Sequence, residues 1–100
     1  MIYYNVKIKI EKTIEKKWLK WMCNKHIKDV LKTKLFTKCV IHKIQYEENK
    51  YIIQYECKNK QNLENYINNF SKKLQQEHTE LFNNKFTASR FVTKKIDQIE

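Results

Sequence analysis

The chain has 100 residues and a formal net charge of +10 at neutral pH, with neither glycine nor proline. This length suits a single domain, which buries about two-thirds of its unfolded surface. No stretch approaches the roughly 18 apolar residues of a membrane span, and the N-terminus lacks the apolar core of a secretion signal. We therefore expect a cytoplasmic protein without a membrane partner, with one domain at residues 1–95 and a charged tail at residues 96–100.

The positive charge is an insufficient reason to expect nucleic acid as a partner. Lysine supplies 20 of the 21 basic residues and occurs in every segment, and asparagine and isoleucine are also abundant. This composition is typical of AT-rich codon usage. The lysines form no cluster interleaved with aromatic residues, as RNA-binding surfaces do. We therefore do not expect nucleic acid as a partner.

The cysteines predict neither a disulfide framework nor a zinc site. Cys23, Cys39 and Cys57 are odd in number, widely spaced and free of any Cys-x-x-Cys pair. We expect them to pack as small buried hydrophobic residues, and we expect no metal and no cofactor.

Hydrophobic periodicity predicts six elements. Residues 1–10 alternate as a half-buried strand, and residues 14–32 follow as a helix. Residues 35–46 and 51–57 are rich in β-branched and aromatic residues and suit a hairpin. A second helix is predicted at residues 62–82. A final strand follows at residues 86–93.

The resulting β-α-β-β-α-β order predicts an α+β, ferredoxin-like fold. Its four antiparallel strands carry both helices on one face. The helix-free face is expected to be too apolar for water, and the residues assigned to it are Tyr3, Leu35, Cys39, Ile41, Ile52 and Phe91. A second copy of the chain covering this face is the simplest arrangement, so we expect a homodimer.

Each helix has a predicted buried stripe. The apolar arc of the first helix centres on Leu19, Cys23, Ile27 and Val30, which leaves Trp21 on the far side, exposed or touching a partner. The second helix is expected to bury a longer set of residues, namely Leu63, Tyr66, Ile67, Phe70, Leu74 and Leu81, together with His78.

A longer residue pattern resembles a known family. It includes Ile2-Tyr3-Tyr4-Asn5-Val6, Trp18-Leu19-Lys20-Trp21-Met22, His26-Ile27-Lys28-Asp29-Val30-Leu31 and Phe86-Thr87-Ala88-Ser89-Arg90. These segments resemble the bacterial domain-of-unknown-function family forty-two eighty-six over nearly the whole chain. The resemblance implies a dimeric α/β barrel related to antibiotic-biosynthesis-monooxygenase-like proteins, with no assigned reaction. Members usually have proline at the position of Lys28 and glycines near Lys34 and Asn83, so this sequence has rebuilt those turns.

Histidines are the candidate acid-base groups, because their protonation changes near neutral pH. His26, His42 and His78 all fall at interior or semi-interior phase, and their spacing matches no metal motif. His26 and His78 are the two catalytic candidates, and the alternative is that they are satisfied core residues.

Arg90 is the single arginine of the chain. A guanidinium group holds a carboxylate in a planar, two-pronged contact that lysine cannot reproduce. Its strand phase predicts that it points beneath the helices. It is therefore either an anion clamp or a partner for Glu77 or Glu80 in a buried ion pair.

Three hypotheses of function remain open. In the first, a homodimer binds a small, partly apolar anion between helices and sheet, with Trp18, Met22 and His26 as walls and Arg90 as clamp; the first two are otherwise plain core residues. In the second, the protein is a cofactor-independent monooxygenase-like enzyme in which His26 or His78 moves protons. In the third, it is a structural or interaction module without a ligand. No catalytic motif favours the enzyme.

Overall fold

The computed structural model describes all 100 residues. Two helical segments, residues 15–31 (the first helix) and residues 60–81 (the second helix), alternate with four strands in the predicted β-α-β-β-α-β order. The strands are β1 (Ile2–Ile10), β2 (Lys38–Lys43), β3 (Lys50–Cys57) and β4 (Phe86–Lys94). None of the helices is long and apolar enough to cross a membrane.

The strands form one antiparallel sheet in the order β2-β3-β1-β4. Strand β1 lies in the interior, where its alternating residues face the helices on one side and remain uncovered on the other. In this register Val6 lies opposite both Ile53 of β3 and Arg90 of β4. The ferredoxin-like prediction is confirmed.

The core fills the space between the helices and the sheet. At one end, aromatic rings pack at centroid separations of 4.8 to 6.2 Å; these rings belong to Tyr4, Phe36, Tyr55 and Tyr66. At the other end lies Trp18, whose side chain is 0% exposed and whose ring is 5.0 Å from that of Tyr51. The sheet therefore carries two aromatic clusters with a strip of aliphatic residues between them.

Both helices are interrupted by a π-helical segment. The first spans Met22–His26 and the second Ile67–Ser71. A π-helical turn closes from residue i to i+5 and so holds about one more residue than an α-helical turn. In each helix the residues that follow are therefore rotated relative to a continuous α-helix.

In the first helix this rotation corrects the predicted buried arc. The buried residues are Trp18, Met22, His26 and Val30, spaced by four along the chain. A regular α-helix has 3.6 residues per turn, so such a row would drift by about 40° at each step. The π-helical segment absorbs that drift. Cys23, predicted at the centre of the arc, is instead exposed.

The second helix shows the same effect. Leu63, Tyr66 and His78 are buried as predicted, but Ser71 and Phe82 complete the row. The prediction of burial was wrong for three residues, which are exposed: Ile67, Phe70 and Leu81. A continuous α-helix would have turned them inward, but the π-helical segment and the end of the helix leave them in solvent.

The helix-free face is less apolar than predicted. Cys39 and Ile41 lie opposite Tyr55 and Ile53, so they are on the helix-covered face instead, and Leu35 precedes β2. The face does carry the predicted Tyr3, Ile52 and Phe91, joined by Val40, His42 and the buried Asn5. His42 is exposed, contrary to its predicted interior phase.

Four residues have a left-handed backbone conformation in this chain without glycine. They are Lys34 (φ 65°), Tyr46 (φ 65°), Asn49 (φ 49°) and Asn84 (φ 60°). Asparagine tolerates this region better than other non-glycine residues, whereas lysine and tyrosine are strained there. Lys34 and Asn84 lie at or next to positions where members of the resembling family usually have glycine.

Candidate functional site

A small cavity of about 30 Å³ lies between the helices and the sheet. This space holds one or two water-sized groups. Its walls are largely apolar, with a few polar side chains, and contain no carboxylate; they are formed by Tyr4, Val6, Ile8, Met22, His26, Ile53, Tyr55, Tyr66, Gln75, His78 and Arg90. The guanidinium of Arg90 is therefore the one permanent charge at the cavity.

Arg90 reaches the cavity from the edge strand β4. Its side chain is on the helix-covered face, as predicted, but because the helices leave β4 partly uncovered it is also exposed to solvent. None of the ion pairs in the structure includes it. The predicted alternative of an ion pair with Glu77 or Glu80 is wrong, since Glu77 pairs with Lys25 at 3.4 Å and Glu80 accepts a hydrogen bond from Gln76.

The hydroxyl of Tyr4 is a polar group on which the charge of Arg90 acts. Burial raises the pKa of Tyr4, and the adjacent guanidinium acts in the opposite direction by its charge and by hydrogen bonding. Arg90 thus has a neutral phenol and solvent beside it and no carboxylate. Its charge remains available to an anion.

His78 lies in the second helix with its ring deep in the core. The Nε1–H of Trp18 donates a hydrogen bond to Nε2 of His78 at 2.9 Å. An indole N–H can only donate, so Nε2 carries no proton and the neutral ring carries its proton on Nδ1. Burial lowers the pKa of His78 to about 3, with the charges of His26 and Arg90 acting in the same direction.

His26 ends the first π-helical segment and is only 8% exposed. Its Nδ1 is buried without a hydrogen-bond partner, and it is the single such side-chain atom in the structure. Burial lowers the pKa of His26 to about 4. The ring lies 5.5 Å from that of His78. Two neutral imidazoles therefore face one another across the helix interface.

Trp21 closes this pair from above. The prediction that it lies exposed on the far side of the helix was wrong: the ring is half-buried and stacks on His26 at 4.8 Å and on His78 at 5.3 Å. Further out, Lys25 forms ion pairs with Asp29 at 2.7 Å and with Glu77 at 3.4 Å. Ion pairs of Lys25 thus join the two helices at the surface, and aromatic contacts of Trp21 join them further in.

The predicted site residues come together in part. Met22, His26, His78 and Arg90 all line the cavity, whereas Trp18 lies behind His78 and holds that ring. The sequence reasoning missed the other seven lining residues, four of them polar (Tyr4, Tyr55, Tyr66 and Gln75) and three aliphatic (Val6, Ile8 and Ile53). Strand alternation and helical periodicity place the three tyrosines inward, but no sequence signal distinguishes core from cavity wall. The structure contains no group of three potential metal ligands.

The sequence matches the family described as Domain of unknown function (DUF4286) over residues 1–96. The chain belongs to this family. Among curated proteins, none matches it significantly.

Solved structures share the fold of this DUF4286 chain at very low identity. SnoaB, a cofactor-independent oxygenase from Streptomyces nogalater, has a TM-score of 0.77 at 5% identity, covering 98% of this chain and 95% of that one. An antibiotic biosynthesis monooxygenase has a TM-score of 0.74 at 9% identity, with 97% and 100% covered. A dimeric ferredoxin-like protein from an uncultured marine organism has a TM-score of 0.74 at 12% identity, with 100% and 99% covered. These likenesses show the fold alone.

The chemistry available in the DUF4286 cavity is recognition by hydrogen bonds and one positive charge. Tyr4, Tyr66 and the Nδ1–H of His78 offer donors, and Arg90 adds a planar fork. Gln75 donates through Nε2 to Ser71 at 2.8 Å, which leaves its carbonyl oxygen as an acceptor. No nucleophile stands next to a base in the lining.

Proposed function

We propose that the protein is a homodimer that binds a small, partly apolar organic anion in the cavity between its helices and sheet. Arg90 holds the anionic group, while Met22 and His26 form the wall that the helix contributes. One observation carries the proposal: the single arginine of the chain stands at a cavity without carboxylates and takes part in no ion pair.

The polar lining supports an anion rather than a cation. Every fixed charge at the cavity is positive, and the tyrosine hydroxyls and the Nδ1–H of His78 are donors. A hydrogen bond to a charged group contributes about 1.5–3 kcal/mol, more than a neutral one. A carboxylate or a sulfonate would satisfy these donors together, whereas an amine would meet unfavourable charge.

The apolar lining sets the size of the ligand. Val6, Ile8, Met22 and Ile53 offer aliphatic contacts for a short hydrocarbon group. With about 30 Å³ of free space, the cavity takes only one end of such a molecule. The rest of the ligand would extend out of the cavity on the solvent-exposed side, next to Arg90. Compact carboxylates therefore fit better than polycyclic substrates.

The homodimer is proposed from the uncovered sheet face. Phe91 is 46% exposed and Val40 is 39% exposed on this face, and Tyr3 and Ile52 lie beside them. Covering such a patch is favourable, and a two-fold symmetric contact does so with the same residues twice. A structural relative described as a dimeric ferredoxin-like protein supports this arrangement.

An oxygenase-like reaction is the second candidate, favoured by the fold that this chain shares with SnoaB. A general base works best when its pKa lies near the working pH. Burial lowers the pKa of His26 to about 4 and that of His78 to about 3, so neither is a strong base at neutral pH. Binding therefore accounts for the site better than proton abstraction.

Native mass spectrometry of protein purified from its own cell extract tests the proposal. We expect a dimer whose native mass exceeds its denatured mass by a reproducible small-molecule adduct. Arg90→Gln should lose the adduct, and Arg90→Lys should lose most of it, because an ammonium cannot make the two-pronged contact. Lys94→Gln is the matched control, since it removes the same charge from the same strand. An adduct of equal occupancy in Arg90→Gln would contradict the assignment of Arg90.

A further inference from the structure

Two groups, one without an ion-pair partner and one with an unpaired ring nitrogen, meet at the cavity from opposite sides. Arg90 reaches it from β4, and the guanidinium makes no ion pair. His26 reaches it from the first helix, is more than nine-tenths buried, and has its Nδ1 unpaired. Buried polar atoms in folded proteins nearly always have a partner, so an unpaired one calls for an explanation, and a bound ligand is one.

We propose that the anion binds between Arg90 and His26 and that His26 takes up one proton from solvent as it binds, so that the site accommodates a compact organic acid as an anion plus a proton. The inference rests on the proposed function and adds a second anchor and the class of ligand. The proton occupies the free ring nitrogen of His26, both ring N–H groups then donate, and Nδ1–H points to the anion.

The charge balance favours this coupling. The cavity lining has one positive charge, that of Arg90, beside two neutral imidazoles. When one anion and one proton enter together, the total charge of the site does not change. The anion alone would neutralise Arg90 but could accept from His26 only in the tautomer that carries its single proton on Nδ1, whereas the protonated ring donates from Nδ1 in every case and adds a positive charge beside the anion. Binding of the pair satisfies both groups.

The charged groups around His26 oppose one another, so a bound anion can shift the balance towards protonation of the ring. On its own helix Lys25 opposes protonation and Asp29 favours it, while Glu77 of the second helix favours it and Arg90 of β4 opposes it. The remaining titratable neighbours at the cavity are neutral at physiological pH; they are His78, Tyr4, Tyr55 and Tyr66. A bound anion offsets the charge of Arg90 and adds attraction of its own, so the pKa of His26 rises from about 4.

The affinity for the anion should depend on pH. Because the bound state holds the extra proton, affinity for the anion rises as pH falls between the pKa of His26 in the complex and its value of about 4 in the free protein. Within that window the limit is tenfold per pH unit for one proton. The protein would thus bind short-chain acids more tightly under mildly acidic conditions.

Nuclear magnetic resonance of the three histidine ring Cε1–H signals tests the inference on the whole chain. Benzoate and methanesulfonate are the probes, and methanesulfonate stays anionic throughout the titration. We expect saturating probe to move the midpoint of the His26 signal upward by about two pH units. The affinity for methanesulfonate should rise at least fivefold between pH 7 and pH 5. The signal of the exposed His42, on the other face of the sheet, should not respond to the probe.

Variants separate the two proposals. His26→Gln should still bind methanesulfonate at pH 7 but lose the rise in affinity at pH 5, while His42→Gln keeps it. Binding that is independent of pH, with an unmoved His26 signal, would overturn the proton coupling and leave anion binding intact. Failure of wild-type protein to bind either probe, or equal binding by Arg90→Gln, would overturn the proposed function itself. The wild-type titration decides the matter even if His26→Gln does not fold.

Discussion

The indole Nε1–H of Trp18 donates to Nε2 of His78 at 2.9 Å, a buried hydrogen bond that joins the two helices across 60 residues of sequence. It fixes the tautomer of His78 and directs the proton of that ring to Nδ1. Because the donor is itself fully buried, the bond is protected from competing water. Trp18 is therefore a positioning residue for a cavity that it does not line.

Trp18→Phe should destabilise the protein markedly. The change leaves Nε2 of His78 buried without a donor, which costs about 1–3 kcal/mol, and the smaller ring leaves a void that adds to the loss. We expect the free energy of unfolding, measured in urea, to fall by about 2–4 kcal/mol. Trp21→Phe is the control, since Trp21 is half-buried and its N–H makes no hydrogen bond. Equal losses in the two variants would show that the hydrogen bond contributes nothing.

Stability should fall as the solution becomes mildly acidic. His26 and His78 have folded-state pKa values of about 4 and about 3, below their ordinary value of 6.5. Below pH 6.5 the unfolded chain therefore binds protons that the folded protein refuses, so stability is full above this pH and decreases below it. Each histidine should contribute a loss of about 2 kcal/mol by pH 5.

Urea unfolding at pH 7 and pH 5, at one protein concentration, measures this loss. His26→Gln should remove about half of the difference, whereas His42→Gln should leave it unchanged. A stability that is the same at both pH values would mean that the two buried rings take up protons without cost. Added methanesulfonate should reduce the loss, because the proposed complex accommodates the proton on His26.

Deleting Asn24 tests the role of the first π-helical segment. Removing one residue allows a continuous α-helix in which Val30 comes eleven residues after Trp18, about 20° from the same face, so Val30 stays in the core. Inserting an alanine after Asn24 instead rotates the residues that follow by about 100° and turns Val30 away from the core. We expect the insertion to lower the free energy of unfolding by at least about 3 kcal/mol, comparable to emptying a buried aliphatic position, and the deletion to lower it clearly less. Asn24→Ala, which keeps the residue count at this exposed position, should change stability by less than about 0.5 kcal/mol. A deletion as costly as the insertion would contradict the role of the π-helical segment as one extra residue.

The proposed dimer predicts an effect of charge on the open sheet face. Val40→Glu combined with Phe91→Glu places carboxylates in the patch, and burying them in a symmetric contact is costly. Light scattering coupled to size-exclusion chromatography should show a dimer for the wild type and a monomer for the double variant. Ile96→Glu, at a tail position 94% exposed, should stay dimeric. A monomeric wild-type protein would refute the assembly.

The fold was readable from the sequence because each element has a strong periodic pattern. Strand β1 alternates over its full length, and the order of elements leaves few alternatives. The π-helical segments were not readable, since neither Met22–His26 nor Ile67–Ser71 contains glycine or proline to mark an irregularity. The errors at Cys23, Ile67 and Phe70 follow from that one omission.

The candidate site was readable to a smaller extent. Arg90 is conspicuous because the composition otherwise avoids arginine, and His26 and Met22 share a helix line. That His26 and His78 lie 5.5 Å apart depends on how two helices pack, and no spacing along the chain encodes it. The pairing of Trp18 with His78 is likewise a tertiary contact. Helical phase predicted that Trp21 lies outside the core, but its ring stacks on those of His26 and His78.

The left-handed residues Lys34 and Tyr46 offer a practical opportunity. Both bear a Cβ in a conformation that costs about 1–2 kcal/mol for such residues, and the Tyr46 side chain is 98% exposed, so its ring contributes little packing. Neither residue lines the cavity. Glycine at either position should raise the melting temperature while leaving every proposed binding group in place. A variant with both changes would be a more stable starting material for ligand screening and crystal soaking, particularly under the acidic conditions where we expect the wild-type protein to lose stability.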